Sequence, residues 1–592
     1  MTPGFQTGPR VARSDQLRRS RAVDCGRVVG VCARRRAQRR ELRVTSTPKA
    51  RTSARLGTSR KKVKRLSSLS PFELKNALLD LASESTRPSS EQLLNAGRGN
   101  PNWNALGPRE AFLALGHFAL EESRRVWSMD DLGGMPEQTD ARLRFERFCE
   151  ANPGLTGMRM LRACVEYGID RLGFDPDAWV HELVDGYLGD NYPVPERALH
   201  HCERVLRAFL AEELYRGGVD PDTVDVFPTE GGTAAMCYLF DTLVTNRILR
   251  RGDTVAIMTP IFTPYLEIPE LDRYAFEVVR VKADMMTEEG VHMWRYPNEE
   301  VDKLADPKVK ALMLVNPSNP PSMAMSDRVR ERIAEIVRTS NPGLVVITDD
   351  VYSTFVPGFR SLAEVCPRNT ALVYSFSKHF GCTGWRLGVI AVPRDNVCDE
   401  KIRALPAAER RTLRRRYATL TLEPEKLSFV DRLVADSRQV ALNHTAGLST
   451  PQQTQMTLFA LFDLLEEGRR YRQLLRDIVH RRLDLLMEGA GGHISDDPGR
   501  AAYYVELDIL AEARAFDSPE FADYLEATYE PTDILFRLAH QSSIVLLNGG
   551  GFDGPEWSVR VSLANLHDLD YLKIGHHLHA ILEEYRRDYG NR

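Results

Sequence analysis

The sequence predicts an α/β protein: a large, mostly parallel sheet covered by helices, a smaller α+β part after it, and added helical stretches. Three observations carry that expectation. Between residues 223 and 395, short β-rich runs alternate with helical stretches, the rhythm of strand–helix–strand units. Five of those runs end in clusters of polar and glycine residues rather than in plain turns. From 500 to 592, strand-like segments at Tyr503–Leu507, Ile544–Leu547 and Ser558–Leu563 mix with helical ones.

Composition sets the outer bounds. With 592 residues, 43% hydrophobic and 27% charged, the chain has enough apolar content for a large core. Its length leaves room for roughly two to four domains. No apolar run approaches the ~20 residues that cross a bilayer, so a membrane-spanning protein and a membrane partner are excluded. Nine cysteines without a CxxC pair argue against a disulfide scaffold or a clustered zinc site. The expected setting is therefore reducing and cytoplasmic, with no metal site. The net charge of −3 hides an asymmetry: residues 1–66 hold 20 Lys/Arg against Asp15, Asp24 and Glu41, so the rest of the chain is acidic.

Taken in order, residues 1–66 carry Arg34, Arg35, Arg36, Arg39 and Arg40 and a basic run from Arg60 to Arg65, with almost no apolar periodicity. Such a block reads as a disordered tail or a surface for polyanions. Val28–Cys32 is too short for the apolar part of a secretory signal. An organelle transit peptide and an over-extended start, with the protein beginning near Leu66, stay open beside those readings. Residues 67–215 form a helical segment that begins at Ser70-Pro71-Phe72-Glu73. There an N-cap, a first-turn proline and an early acid precede Leu78, Leu79 and Leu81. Residues 216–440 are the large, sheet-bearing domain, and 441–592 the small domain. Helical insertions are expected around 130–185 and 400–440, the second including the charged stretch Arg410–Arg416.

The chemistry gathers where the β-rich runs stop. Val224–Phe227 leads into Pro228-Thr229-Glu230-Gly231-Gly232-Thr233, and Thr254–Met258 into Thr259-Pro260-Ile261-Phe262. Ala311–Val315 leads into Asn316-Pro317-Ser318-Asn319-Pro320, and Leu344–Thr348 into Asp349-Asp350-Val351-Tyr352. Ala371–Tyr374 leads into Ser375-Phe376-Ser377-Lys378, with Arg386 shortly after. Open α/β sheets bind ligands outside the carboxyl ends of their strands, so five such clusters describe one site. Gly232 and Thr233 opening a helix offer backbone N–H groups and a hydroxyl to a phosphate. Ser375, Ser377 and Arg386 can grip the same anion. No GxxxxGK[ST] is present, which disfavours a nucleoside triphosphate. A lysine beside the pocket and a carboxylate from the neighbouring strand complete the equipment for pyridoxal 5′-phosphate.

Together, Ser375-Phe376-Ser377-Lys378 with Arg386, Asn316-Pro317, Asp349-Asp350-Val351-Tyr352 and Arg560-Val561-Ser562-Leu563-Ala564 resemble the fold-type I, pyridoxal-phosphate-dependent aminotransferases, in order and spacing, from about Leu93 to Leu566. Within that family, Ala96–Trp103, Asn191–Arg197, Asn316–Pro320 and Gly549–Phe552 are similar to the aspartate 4-decarboxylase group, whose larger size also matches. The resemblance implies a role for each residue. Lys378 would join the cofactor covalently and shuttle the substrate proton. Asp349 would hold the pyridinium nitrogen, while Asn316 and Tyr352 would hydrogen-bond the phenolic oxygen. Phe262, where many relatives carry Trp or Tyr, would stack on the ring. Tyr192 would reach the phosphate of a partner subunit, which makes the protein a homodimer at least. Arg560 would clamp the substrate α-carboxylate. Arg98 or Lys75 would meet the second carboxylate.

The implied activity is β-decarboxylation of L-aspartate to L-alanine and CO2, with some aspartate transamination. A plain aspartate or aromatic aminotransferase is the alternative among enzymes. A pyridoxal-phosphate-sensing regulator that binds DNA through residues 1–66 is the alternative of another class. Against it, that block lacks the apolar spacing of a helix-turn-helix, so no specific nucleic-acid partner is expected.

Overall fold

The computed structural model of the chain describes residues 65–66, 69–86, 92–127, 132–193, 196–438, 446–494 and 496–591. The basic block up to residue 64 lies outside them. Strands are numbered β1 (Leu94–Asn95), β2 (Val224–Thr229), β3 (Thr254–Thr259), β4 (Glu277–Lys282), β5 (Val309–Val315), β6 (Val345–Asp349), β7 (Thr370–Ser375) and β8 (Gly388–Pro393). After them come β9 (Tyr504–Asp508), β10 (Ile544–Val545), β11 (Leu547–Asn548) and β12 (Ser558–Ser562).

The seven-stranded sheet has the order β2-β8-β7-β6-β5-β3-β4. All its neighbours pair in parallel except β8, which runs antiparallel to both β2 and β7. Successive side chains of a strand point to opposite faces, and here both faces are covered. Ala311, Met313 and Val315 of β5 join the main core, while Val309, Leu312 and Leu314 join a second apolar cluster on the other face. Val345 and Ile347 against Val346 in β6 divide the same way. Continuous apolar runs in the sequence are thus strands buried on both sides. Because β3, β5, β6 and β7 are parallel, their carboxyl ends share one rim.

Two sheet strands were not anticipated. β4 is an edge strand whose polar residues face solvent, and β8 follows Arg386 directly as a fully buried return strand. The expected strand at 544–547 is two short ones, β10 and β11, which pair with different partners.

The first long helix, Pro71–Thr86, starts as expected: Ser70 Oγ accepts the Glu73 N–H at 3.4 Å. Its buried positions are Pro71, Leu74, Leu78 and Ala82, three or four residues apart on one face, with Leu79 and Leu81 only half-buried beside them. The segment after it is sewn to the C-terminal part of the chain. β1 pairs in parallel with β10, Ser562 N donates to the Ala96 carbonyl at 2.8 Å, and Asn102 N donates to that of Ala564 at 2.9 Å. β11, β12 and β9 form a separate antiparallel sheet.

Behind the loop that follows β7 lies a buried polar chain. His379 Nε2 meets Asp463 Oδ1 at 3.0 Å, on the helix Thr450–Leu464. Arg472, from the helix Glu466–Ala490, donates to Asp463 Oδ2 at 2.5 Å and also pairs with Glu213. Burial holds the His379 imidazole below its ordinary pKa, against the pull of Asp463. The main chain here is tied as well. Trp103 Nε1 donates to the Lys378 carbonyl at 3.1 Å, and the Tyr471 hydroxyl donates to that of His379 at 3.0 Å. Breaking a buried charged network by removing one partner leaves an uncompensated charge, so Asp463→Ala should cost about 3–5 kcal/mol. Denaturant unfolding of the variant against wild type measures it.

Candidate active site

The strand rim opens into a cavity of about 380 Å³. Its wall takes Gly232 and Thr233 from beyond β2, Phe262 and Tyr265 from beyond β3, and Val315 and Asn319 from the end of β5 and beyond. Asp349, Val351 and Tyr352 come from β6 and the turn after it; Ser375, Ser377, Lys378, Thr383 and Arg386 come from β7 and the loop beyond. The rest is supplied from outside the large sheet: Phe72 of the first helix, Gly99 and Asn100, Tyr504 of β9 and Arg560 of β12.

One end is built for an anion. The helix Gly232–Thr245 points its N-terminus into the cavity, and Gly231 before it sits at φ 91°. A Cβ on Gly231 would stand 2.5 Å from Arg386 Nη2, so only glycine leaves the guanidinium its place. Arg386 donates to the Thr383 carbonyl at 3.1 Å and to that of Glu230 at 3.4 Å, which fixes its aim. Ser377 Oγ is buried and meets no hydrogen-bond partner among the described residues. Backbone N–H groups, hydroxyls and a guanidinium gathered this way suit a phosphate monoester.

The floor carries a buried carboxylate. Asp349 accepts the Tyr265 hydroxyl at 2.7 Å and the Val351 N–H at 3.2 Å. Burial raises its pKa to about 6, with Tyr265, Val351 and Lys378 pulling the other way. Its neighbour Asp350 faces away from the cavity, where it accepts hydroxyls from Thr348 and Ser361. The side of the cavity holds Lys378, whose Nζ donates to the Gly99 carbonyl at 3.0 Å, and the Tyr503 hydroxyl donates to the same oxygen at 2.9 Å.

The far end is cationic. Arg560 is buried, with Nη1 donating to Asn319 Oδ1 and Nη2 to the Gly97 carbonyl, both at 3.1 Å. Its guanidinium lies 4.3 Å from the centre of the Tyr504 ring. Lys75 is lowered from its ordinary pKa by burial first, then by the charges of Arg98 and Arg560. Three cations that repel one another make a place for more than one negative group.

Ten of the residues singled out in the sequence therefore share one cavity: Gly232, Thr233, Phe262, Asp349, Tyr352, Ser375, Ser377, Lys378, Arg386 and Arg560. Lys75 and Arg98 are not on its wall, although Phe72 and Gly99 beside them are. Tyr192 is 68% exposed and lies outside it. Asn316 needs correction. Its Oδ1 accepts the Met325 N–H at 2.9 Å, and it does not line the cavity. The asparagine that does is Asn319, which accepts from Arg560 and donates to the Tyr352 hydroxyl at 3.5 Å. Tyr265 and Tyr504 were also missed. Asn319 stands before the second proline of the same Asn316–Pro320 stretch, and the adjacent Tyr503 and Tyr504 were a faint pointer to Tyr504.

Comparison with known proteins agrees with this geometry. A model of the family described as aminotransferase class I and II matches residues 206–483. A Pseudomonas protein named bifunctional aspartate aminotransferase and L-aspartate beta-decarboxylase is 46% identical over 526 residues, which cover 88% of this chain and 98% of that protein. An aspartate/prephenate aminotransferase of Thermus thermophilus is 27% identical over 314 residues, 51% of this chain and 66% of that one. Among solved structures, an aspartate aminotransferase from Thermus thermophilus with maleate superposes with a TM-score of 0.53 at 19% identity. That likeness, which is one of fold, covers 86% of this chain and 96% of the other.

Burial of Asp349 has a consequence for stability. Without a cation at its carboxylate, the folded protein keeps this proton up to about pH 6, whereas an unfolded chain releases it near 3.8. Stability contributed by this site therefore falls as pH rises through that window. In cofactor-free protein, Asp349→Asn should gain on wild type between those pH values, by up to about 3 kcal/mol at neutrality. Urea unfolding at a series of pH values reads the difference.

Proposed function

This chain belongs to the aminotransferase class I and II family, and on that premise we propose that it removes the β-carboxylate of L-aspartate as CO2, leaving L-alanine, with aspartate transamination as a second activity. The observation that carries the reading is the 46% identity to a protein of that double name along 98% of its length, whereas the 27% match to the aspartate/prephenate aminotransferase reaches only 66% of it.

The residues fit pyridoxal 5′-phosphate. Ser377 Oγ is buried without a partner, Gly231 leaves open the cradle beside Arg386, and Asp349 is a buried carboxylate with no ion-pair partner among the described residues. Gly232, Thr233, Ser375, Ser377 and Arg386 would hold the phosphate, Asp349 the ring nitrogen, Asn319 and Tyr352 the phenolic oxygen, and Phe262 the ring face. Lys378 would hold the aldehyde carbon. When bound, the cofactor supplies an electron sink for bonds at the substrate α- and β-carbons.

The chain's own part is orientation and proton transfer. Arg560 binds the substrate α-carboxylate through its guanidinium fork, a geometry that lysine lacks. Arg98 and Lys75 meet the β-carboxylate. Lys378 Nζ takes the proton from Cα and returns it there after CO2 has left. Tyr192, exposed on this subunit, serves the phosphate end of a second copy, so the working unit is a homodimer at least. The seven described cysteines are all unpaired, which suits a reducing, cytoplasmic setting.

Turnover of L-aspartate by the purified protein, with no 2-oxo acid added and with CO2, alanine and oxaloacetate all quantified, decides the reading. Catalytic amounts of alanine and CO2 are expected; oxaloacetate alone, in amounts no larger than the enzyme, would make it a plain aminotransferase. Lys378→Ala should abolish turnover together with the visible absorbance of lysine-bound cofactor. Replacing Arg98 by Met should raise KM for aspartate by about tenfold, the loss of one exposed charge-assisted contact, and leave KM for alanine unchanged.

A further inference from the structure

We propose that Tyr504 is a catalytic residue of this site, whose phenol delivers the proton that replaces the departing β-carboxylate. The inference rests on the decarboxylase reading above and names the acid that reading leaves unassigned.

Position comes first. Tyr504 opens β9 opposite Ser562 of β12, two residues from Arg560, and its ring packs beside the guanidinium that receives the substrate α-carboxylate. Its hydroxyl is on the lysine side of the cavity. A Cβ placed on Gly99 would stand 2.9 Å from Tyr504 Oη and 3.2 Å from Lys378 Nζ, so the two polar atoms flank the same bare stretch of backbone. The phenol therefore lies between the group that holds the amino acid and the amine that works on its α-carbon.

The hydrogen-bond pattern leaves its proton available. The Tyr352 hydroxyl donates to the Tyr504 oxygen at 3.2 Å, which occupies a lone pair and not the Tyr504 O–H. The other hydroxyls of the wall are either bonded already or lie at the anion end. Tyr265 donates to Asp349, and Ser375 and Ser377 belong to the anion end. Asp349 would hold the ring nitrogen from the floor, and Lys378 would work at Cα.

Electrostatics favour the same phenol. Burial alone would push Tyr504 up, but Lys378 and Arg560 outweigh it and bring the hydroxyl below the usual tyrosine range, with the Tyr352 hydrogen bond helping. Tyr352 is held well above that range by burial and by Tyr504 and Tyr503. The titratable groups facing Tyr504 are thus Lys378, Arg560, Tyr352 and Tyr503; Arg560 acts on the other two phenols as well, but only at Tyr504 do the cations outweigh burial.

The step balances. The bond from Cβ to the carboxylate breaks, CO2 leaves and the electron pair stays at Cβ. The Tyr504 O–H bond then breaks as the Cβ–H bond forms, leaving a phenolate beside Arg560 that accepts the Tyr352 hydrogen bond. Solvent, directly or through Lys378, returns the proton, so one proton is consumed for each CO2 released.

Stereochemistry tests this, because a fixed donor delivers to one face of Cβ and bulk water does not. L-Aspartate with deuterium at a single C3 position, turned over in tritiated water, gives alanine whose methyl group is chiral if one side chain delivers the proton. Wild type should yield one handedness. Tyr504→Phe should release CO2 about 100-fold more slowly and yield a scrambled methyl; a single handedness retained in that variant overturns the proposal at any rate of turnover. Wild type that releases no CO2 would instead overturn the decarboxylase reading, before the variant is needed. A second measurement needs neither cofactor nor turnover. In the near-ultraviolet titration of cofactor-free wild type, one phenol should ionise ahead of the others and be missing in Tyr504→Phe. A wild-type titration without that early phenol overturns the proposal even where the variant does not fold.

Discussion

The carbonyl oxygen of Gly99 accepts hydrogen bonds from Lys378 Nζ and from the Tyr503 hydroxyl, joining three stretches of chain that are hundreds of residues apart in sequence. The rest of the site depends on that meeting. Residues 94–102 are held to the C-terminal part of the chain by the pairing of β1 with β10 and by the main-chain bonds of Ala96 and Asn102. The same segment accepts Arg560 Nη2 at the Gly97 carbonyl. One short length of backbone therefore sets the distance between the lysine on the large sheet and the arginine on the small one. Such a segment must come close, and glycine is what permits it: a Cβ at 99 would strike Tyr504 Oη at 2.9 Å and crowd Lys378 Nζ at 3.2 Å.

Charge is distributed unevenly along the cavity, and the unevenness gives it a direction. The anion end has a helix N-terminus, Arg386 and an unpartnered hydroxyl; the far end has Arg560, with Lys75 and Arg98 nearby. Between them lies a single buried carboxylate of the cavity wall, Asp349, whose pKa burial raises against the pull of Tyr265, Val351 and Lys378. A ligand anionic at both ends would meet charge of the opposite sign at each of them. Pre-set dipoles and charges of this kind act strongly where water is excluded and need no rearrangement during reaction.

Much of this was legible in the sequence, for identifiable reasons. Parallel strands buried on both faces leave continuous apolar runs, and their carboxyl ends leave the polar clusters, so the five loops and most cavity residues could be read off by position. What failed was whatever depends on how two distant segments close on each other. Asn316 and Asn319 each precede a proline, and nothing local says which one faces the ligand; the Met325 N–H, nine residues on, takes the first and Arg560 takes the second. Tyr504 gave little signal because a tyrosine at the start of a strand is usually a packing residue. Its place beside Lys378 is set by β9–β12 pairing and by Gly99, neither of which local periodicity encodes. β8 escaped notice because it returns antiparallel in a region whose rhythm is otherwise parallel.

The site also divides labour between neighbouring residues of one type. Asp349 and Asp350 are adjacent, yet one faces the cavity while the other accepts hydroxyls from Thr348 and Ser361 on the opposite side. Tyr503 and Tyr504 are adjacent too; one spends its hydroxyl on the Gly99 carbonyl, and the other keeps its proton while accepting from Tyr352. A strand end is the common cause: Asp349 closes β6 and Tyr504 opens β9, while Asp350 and Tyr503 lie just beyond the strands and meet different partners. Chemistry of this sort cannot be read from residue type, because identical side chains acquire different acidities from what surrounds them. The fold fixes which copy of each residue faces the cavity.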